Sequence, residues 1–331
     1  MRAAYIESTG GPEVVKVGEL PTPVPAPGQA LVRVAAAALN PIDMYVRAGT
    51  VAMPLPKPFV TGSDLAGTVE AVGGGPSRFK VGDRVWGSNQ GLLGRQGVTA
   101  EYACVDEDYL YPLPAGVGEQ DAAAAALTGI TAHLGLFRAA RLQAGEWVFV
   151  NGGTGGVGSM VVQMAKASGA RVVTTVGSAE KAMLCKQWGA DRVLNYKTDD
   201  VATGIKEATA NKGVDVWFET QREPDLVRTV DLMAQRGRIV LIAGRAAKPL
   251  FPVGPFYVKG LSVHGFAMFN ATAAEQRACA DDINRWLESG KLHPPVGKAF
   301  PLAETAEAHR FLEANTVGGA GTLVGKVLVM G

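Results

Sequence analysis

The chain has almost no excess of either charge. Its 32 lysines and arginines face 31 aspartates and glutamates, for a formal net charge of +1 in 331 residues. Such a balance lacks the field that draws nucleic acid or an anionic membrane surface, and points to a neutral or small partner. Cysteine is scarce as well. Cys104, Cys185 and Cys279 are widely separated and odd in number, which excludes a disulfide framework and suits a reducing compartment. Long hydrophobic runs are missing too. The most apolar window, residues 122–137, is too short to span a bilayer and is interrupted by Thr128, Thr131 and His133. The opening MRAAYIESTG has no basic segment followed by an apolar one, so no export signal is visible. Metal ligands are the last shortage. His133, His264, His293 and His309 are scattered and no two cysteines have ligand spacing, whereas tetrahedral zinc needs three or four converging donors. A soluble, cytoplasmic, metal-free protein is expected.

What is present is glycine, 42 residues spread along the chain, and a length that suits two domains. The first 110 or so residues carry short alternating runs such as ALVRVAAAAL (30–39) and GTVEAVG (67–73), broken by Pro and Gly, which predict a β-rich, barrel-like unit. From about Asp121 helical patterns alternate with apolar strands: EWVFV (146–150), RVVTTV (171–176), VDVWFE (214–219), RIVLIAG (238–244) and LSVHGFAM (261–268). That rhythm predicts βαβ units and a parallel sheet covered on both faces, an α/β class. The end of the chain, with helical 281–292 and 304–315 and the strand-like GKVLVMG, is expected to return to the first domain. The boundaries read 1–120, 121–265 and 266–331.

The stretch VFVNGGTGGVG (148–158) runs a buried strand into a glycine turn that opens a helix. Gly153, Gly155 and Gly158 have the spacing of a dinucleotide-binding turn, in the strand–turn–helix setting such a turn requires. One glycine permits the turn, a second lets backbone approach a pyrophosphate, and a third allows close helix–strand packing; the helix N-terminus then offers unpaired N–H groups to the anion. A NAD site usually carries an acid at the tip of the next strand, for the ribose hydroxyls. Here RVVTTV ends in Gly177-Ser178. With no carboxylate to repel a 2′-phosphate, and Lys181 one turn further on, the pair points to NADP(H). Taken singly, Ser178 reads better as a helix N-cap and Lys181 as a solvated helix residue; it is the missing acid that shifts the pair.

From end to end the chain resembles the zeta-crystallin-type quinone oxidoreductases, the zinc-free branch of the medium-chain dehydrogenase/reductase superfamily. The resemblance is carried by GGPEV (10–14), LNPIDMYVRAG (39–49), GSDLAGTVEAVG (62–73), FKVGDRVWG (79–87), LTGITA (127–132), GGTGGVG, VGSAEK (176–181), GADRVLNY (189–196) and RGRIVLIAG (236–244). It implies a GroES-like β-rich catalytic domain plus a Rossmann doubly wound parallel-sheet domain, with the cofactor between them. It further implies that Asn40 and Thr131 line the nicotinamide end and that Tyr45 faces the substrate. By the same resemblance Gly155, Gly156 and Val157 form the pyrophosphate turn, and Ser178, Lys181 and Tyr196 hold the 2′-phosphate and ribose. Gly244, Arg245, Phe266 and Met268 border the nicotinamide, with Lys326 a further cofactor residue near the C-terminus. Where zinc relatives carry ligands, this chain has Asn40-Pro41 and Gly62-Ser63-Asp64.

The function implied is metal-free hydride transfer from NADPH to a quinone, with Tyr45 donating to the developing oxyanion and Asn40 orienting the nicotinamide or the substrate oxygen. A reductase of enones or 2-enoyl thioesters is the alternative on the same fold, and a structural, crystallin-like NADPH-binding protein is the alternative from another class. Three segments depart from the resemblance. Val51 stands where many relatives have a second tyrosine, ETQREP (219–224) replaces a shorter Asp-containing turn, and NQGLLGRQGV (89–98) is a polar loop of open role. A homodimer through an edge strand near LSVHGFAM is expected.

Overall fold

The computed structural model describes all residues, Met1–Gly331. Along the chain, β1 (Arg2–Ile6), β2 (Lys16–Glu19), β3 (Gln29–Leu39), α1 (Pro41–Arg47), β4 (Phe59–Val60), β5 (Asp64–Val72), β6 (Arg84–Gly87), β7 (Tyr102–Asp106) and β8 (Leu110–Pro112) come first. The helix α2 (Glu119–His133) follows and runs into a π-helical turn, Leu134–Ala139. Next are β9 (Trp147–Val150), α3 (Gly156–Ala167), β10 (Arg171–Val176), α4 (Ala179–Gln187), β11 (Arg192–Asn195), α5 (Val201–Ala208) and β12 (Val214–Glu219). Then come α6 (Leu226–Leu232), β13 (Met233–Leu241), α7 (Val253–Val258) and β14 (Ser262–Gly265), and the chain ends in α8 (Ala273–Glu288), β15 (Val296–Pro301), α9 (Thr305–Thr316) and β16 (Lys326–Met330).

Two compact units result, Met1–Leu127 with Ala271–Gly331, and Thr128–Asn270. The C-terminal segment belongs with the first unit. Both divisions fall a few residues beyond those expected, the first of them inside α2. A continuous helix carries no change of composition at the point where its packing partners change.

The first unit holds a seven-stranded sheet ordered β15-β16-β3-β5-β6-β8, with β7 also paired to β3, and a small sheet ordered β2-β1-β4. The long strand β3 shows why its sequence reads as it does. Its first half alternates buried and open residues, and then the alanine run 36–38 is buried throughout. Small side chains suit a strand with close neighbours on both faces.

The second unit is a six-stranded sheet, wholly parallel, in the order β11-β10-β9-β12-β13-β14. This is the doubly wound Rossmann order, and its direction of winding reverses between β9 and β12. The strands are continuous apolar runs because both faces are covered. Phe149 and Trp217 stack at 4.1 Å between ring centroids and form a core with Val173, Leu194, Ile205 and Ile239. Asp200 and Asp225 cap α5 and α6 by accepting backbone N–H groups of the first turns. No helix is long and apolar enough to cross a membrane.

Candidate functional site

The glycine turn lies at the C-terminal end of β9, beside the winding reversal, where open α/β sheets bind ligands. Gly152 adopts φ of 74°, a left-handed conformation that a side chain disfavours. Gly158 packs so closely on the turn that a Cβ there would strike the Gly152 carbonyl oxygen and lie 3.0 Å from its carbon. Gly155 is different: a Cβ on it would meet only the Gly152 oxygen, at 3.4 Å, so the backbone is open on that side. Gly155 is the N-cap of α3 and brings no side-chain cap, and Gly156 and Val157 open the helix with N–H groups that have no intrahelical acceptor. A pyrophosphate fits this cradle on both counts, room for approach and donors to receive it. Gly153 is buried beneath, against Thr174.

Ser178 lies at the tip of β10 as the N-cap of α4, its hydroxyl oxygen accepting the Lys181 N–H at 3.3 Å. The same hydroxyl donates to Glu180, whose carboxyl is held below its usual range by that bond. Tyr196, largely exposed, folds its ring over Gly177 so closely that a Cβ on that glycine would collide with the hydroxyl. Lys197, which sequence reasoning missed, stands near enough to Lys181 that its charge, after partial burial, lowers the Lys181 pKa. Two ammonium groups, a hydroxyl and a phenol thus gather at a strand tip whose own last residues carry no acid, with Glu180 beside them in the first turn of α4. Elsewhere in this unit Thr131 is buried within α2, and Gly244 adopts φ of 84° in the loop after β13 with Arg245 exposed next to it. Phe266 is half-buried and Met268 buried, just beyond β14.

In the first unit Asn40 and Lys326 come together, 286 residues apart in the chain. Asn40 is fully buried at the N-terminus of α1. Its Nδ2 donates to Asp64 Oδ2 at 2.7 Å and Ser63 Oγ at 3.0 Å, and its Oδ1 accepts from the Lys326 ammonium. Lys326 also donates to the Leu39 carbonyl at 2.8 Å and faces Asp64 at 3.7 Å. The Ser88 hydroxyl and the Leu127 amide donate to Asp64 at 2.6 and 3.2 Å. Asp43 accepts the Asn40 N–H at 2.7 Å. Both polar ends of the Asn40 side chain, and the Lys326 ammonium, are therefore engaged inside the protein.

Three ionisable groups share this buried pocket. Burial pushes the Asp64 carboxyl up and the Lys326 ammonium down, while each one's charge favours ionisation of the other. Asp64, with its donors and the ammonium, is the better compensated of the two carboxyls. Asp43 is driven up to about 7, first by burial and then by the like charge of Asp64. No three histidine, cysteine, aspartate or glutamate side chains are grouped to hold a metal ion. Tyr45 is carried half-buried on α1, whose first turn the network anchors and whose last turn is tied to α9 by the buried Arg47, bonded to Glu313 at 2.7 Å.

Sequence reasoning missed Asp43, Ser88 and Lys197, and had Ser63 and Asp64 only as replacements for metal ligands. The signal was there for Asp64, which heads the buried first half of β5, as it was for Lys326, already noted, which opens the otherwise apolar β16. A lone charge entering a buried strand needs a partner.

Comparison with known proteins bears on the same two regions. The family described as alcohol dehydrogenase GroES-like domain matches residues 26–115, and the one described as zinc-binding dehydrogenase matches residues 156–284. The quinone oxidoreductase of Pongo abelii is 34% identical over 100% of this chain and 98% of its own length. The 2-haloacrylate reductase of a Burkholderia species is 32% identical over 94% of this chain and 95% of its own. Among solved structures, an NAD-dependent alcohol dehydrogenase superposes with a TM-score of 0.89 at 33% identity, covering 100% of both chains. The Escherichia coli quinone oxidoreductase complexed with NADPH superposes with a TM-score of 0.86 at 28% identity, again over 100% of both.

Proposed function

Since the chain belongs to the quinone oxidoreductase family of the medium-chain dehydrogenase/reductase superfamily, and is an oxidoreductase, we infer that it reduces quinone-type acceptors with NADPH. The observation that carries the cofactor preference is the tip of β10. Ser178, Lys181, Tyr196 and Lys197 gather there, and β10 itself ends without an acid; the nearby Glu180, in the first turn of α4, is engaged by the Ser178 hydroxyl. One relative in structure is NAD-dependent and another was solved with NADPH, so the preference rests on this chain's own residues.

In this reading the amides of Gly156 and Val157 hold the pyrophosphate, with Gly153 and Gly155 leaving room for it. Thr131, Gly244, Arg245, Phe266 and Met268 border the nicotinamide. The dinucleotide, when bound, supplies the hydride. A quinone needs little polarising help, because its conjugated system accepts hydride and spreads the charge onto oxygen. Tyr45 donates a hydrogen bond to that oxygen. Asn40 and Lys326 act from beneath, as positioning groups that fix the start of α1 and so the placement of Tyr45. A reaction without a metal is supported by the donor set: where zinc relatives converge ligands, this chain has an amide, a serine and a carboxylate already neutralised by its own ammonium.

The test is a panel of acceptors: 1,4-benzoquinone, a larger quinone, an enone and a crotonyl thioester, each with NADPH and with NADH. Turnover of quinones with NADPH is expected. Turnover of the enone or thioester alone would move the protein to the second reading, which the 2-haloacrylate reductase relative favours. Oxidation of NADPH by none of them would leave a binding protein. The variant Tyr45→Phe is expected to lose about tenfold or more in kcat, and an unchanged kcat removes Tyr45 from the chemistry.

A homodimer is part of the same reading. The outer strand β14 pairs only with β13, and Val263 on it lies near exposed Leu250, Val253, Tyr257 and Val258 in sequence. An apolar edge of this kind is covered by a second copy. Light scattering on the eluting protein should give twice the 34.5 kDa chain mass. Three free cysteines, two of them buried, suit the cytoplasm.

A further inference from the structure

The turn after β12, Glu219-Thr220-Gln221, has a partner in the glycine turn. Glu219 closes β12 with 2% of its surface exposed. Its Oε2 accepts the Trp217 Nε1–H at 3.1 Å, and its Oε1 accepts the Gln221 N–H at 2.7 Å and the Asn151 Nδ2–H at 3.4 Å. Asn151 in turn accepts the Thr175 hydroxyl on Oδ1 at 2.8 Å. The Thr175 oxygen then accepts the Gly152 N–H at 3.0 Å. The Thr220 hydroxyl donates to the Asn151 carbonyl, and a Cβ on Gly152 would come within 3.4 Å of the Gln221 amide nitrogen.

The direction of this chain of bonds follows from its first member. The Trp217 Nε1–H and the Gln221 N–H can only donate and fix both Glu219 oxygens as acceptors, so Oε1 draws the NH2 end of the Asn151 amide. That leaves Asn151 Oδ1 facing Thr175, which commits the threonine proton to Asn151 and a lone pair to Gly152. Reversing any link would set donor against donor or acceptor against acceptor in a partly buried site. We propose that Glu219, Asn151 and Thr175 form a one-way hydrogen-bond relay across the ends of β12, β9 and β10 that sets the glycine turn for a dinucleotide. These are positioning residues. They engage the Gly152 amide inside the protein and hold that residue in its left-handed conformation. The first-turn amides of α3 then face the anion unopposed.

The proposal rests on the reading of this turn as a dinucleotide site, and the experiment separates the two. Calorimetric titration of the full chain with NADPH and with NADH comes first; binding of neither overturns the reading of the turn itself. Given binding, Thr175→Val removes the relay hydroxyl but keeps the branched shape, and Thr175→Ser keeps the hydroxyl. The valine variant is expected to bind NADPH about tenfold more weakly, the serine variant within about twofold of the parent. With saturating NADPH, kcat on an acceptor the parent turns over should stay within about twofold in both. Equal affinities in the two variants overturn the relay, since a purely structural role for the site would not follow the hydroxyl. Should Thr175→Val fail to fold, Asn151→Ala breaks the relay from the turn side. A wild-type affinity in that variant overturns the proposal equally.

Discussion

The network around Asn40 buries three ionisable groups, Asp43, Asp64 and Lys326, whereas the glycine turn has one buried carboxylate, Glu219, and otherwise neutral groups. In the first unit the charges face one another and nothing is left over for a ligand. In the second the carboxylate's bonds are all received from within, and the donors left over are backbone amides on an open face. The two constructions divide two tasks that a metal site would combine. One fixes a helix rigidly by compensated internal charge, and the other presents positive potential outward without burying a cation. Compensated charge is fragile in a way that backbone donors are not, because removing one partner leaves the other stranded.

That difference predicts the largest effect. Lys326→Met should cost about 3–5 kcal/mol of stability by urea unfolding, since it leaves Asp64 buried without its ammonium. Adding Asp64→Asn to it should recover a good part of the loss. A loss below about 1 kcal/mol in the single variant would mean that the ammonium does not compensate Asp64. Next in size come two glycines of the turn. Gly158→Ala should cost about 1–3 kcal/mol, because the added methyl meets the Gly152 backbone, which has little room to yield. Gly155→Ala should leave the unfolding midpoint nearly unchanged and weaken NADPH binding about tenfold by titration, because there the methyl occupies only the open side. If both variants lost stability alike, the turn would be a packing element without an open face.

The third effect has a sign that reverses ordinary acid unfolding. The Asp43 pKa is raised to about 7 in the folded chain from 3.8, so the native state binds more protons than the unfolded state between those values. Its contribution is fully present below pH 4 and is lost as pH rises towards 7. Asp43→Asn should therefore gain on the parent by about 2–3 kcal/mol between pH 5 and pH 8. Melting curves at the two pH values would show the difference, and a gain at pH 5 instead would reverse the assignment of the proton.

The same contrast explains what could be read from the residues alone. The second unit was legible because its signals are local. VFVNGGTGGVG holds strand, turn and helix start within a few residues, and the parallel sheet announces itself in apolar runs such as VDVWFE. The short helices α5, α6 and α7 and the strand β15 were not singled out, since each is brief and takes its partners from elsewhere. In the first unit Asn40 and Tyr45 drew notice only by resemblance. The grouping of Asn40 with Asp64 and Lys326 is invisible along the chain, because it joins the end of β3, the start of β5 and the start of β16. Gln221 likewise had no account in the sequence, and gains one only beside Gly152.

The smallest effect tests whether charge in the second unit really faces outward. Lys197 is exposed and makes no ion pair with a carboxylate, while its charge is felt at Lys181. Two like charges held together favour a shared anion. Lys197→Ala removes one of them without touching the pyrophosphate cradle or the relay beneath it. The expected outcome is about a threefold to fivefold rise in the NADPH dissociation constant with NADH unchanged, since an exposed charge pair contributes under about 1 kcal/mol. The loss should shrink further in added salt, which screens an exposed pair. An equal loss for both dinucleotides would assign Lys197 to the pyrophosphate or ribose instead, and no loss for either would leave Lys181, Ser178 and Tyr196 to hold the 2′-phosphate by themselves.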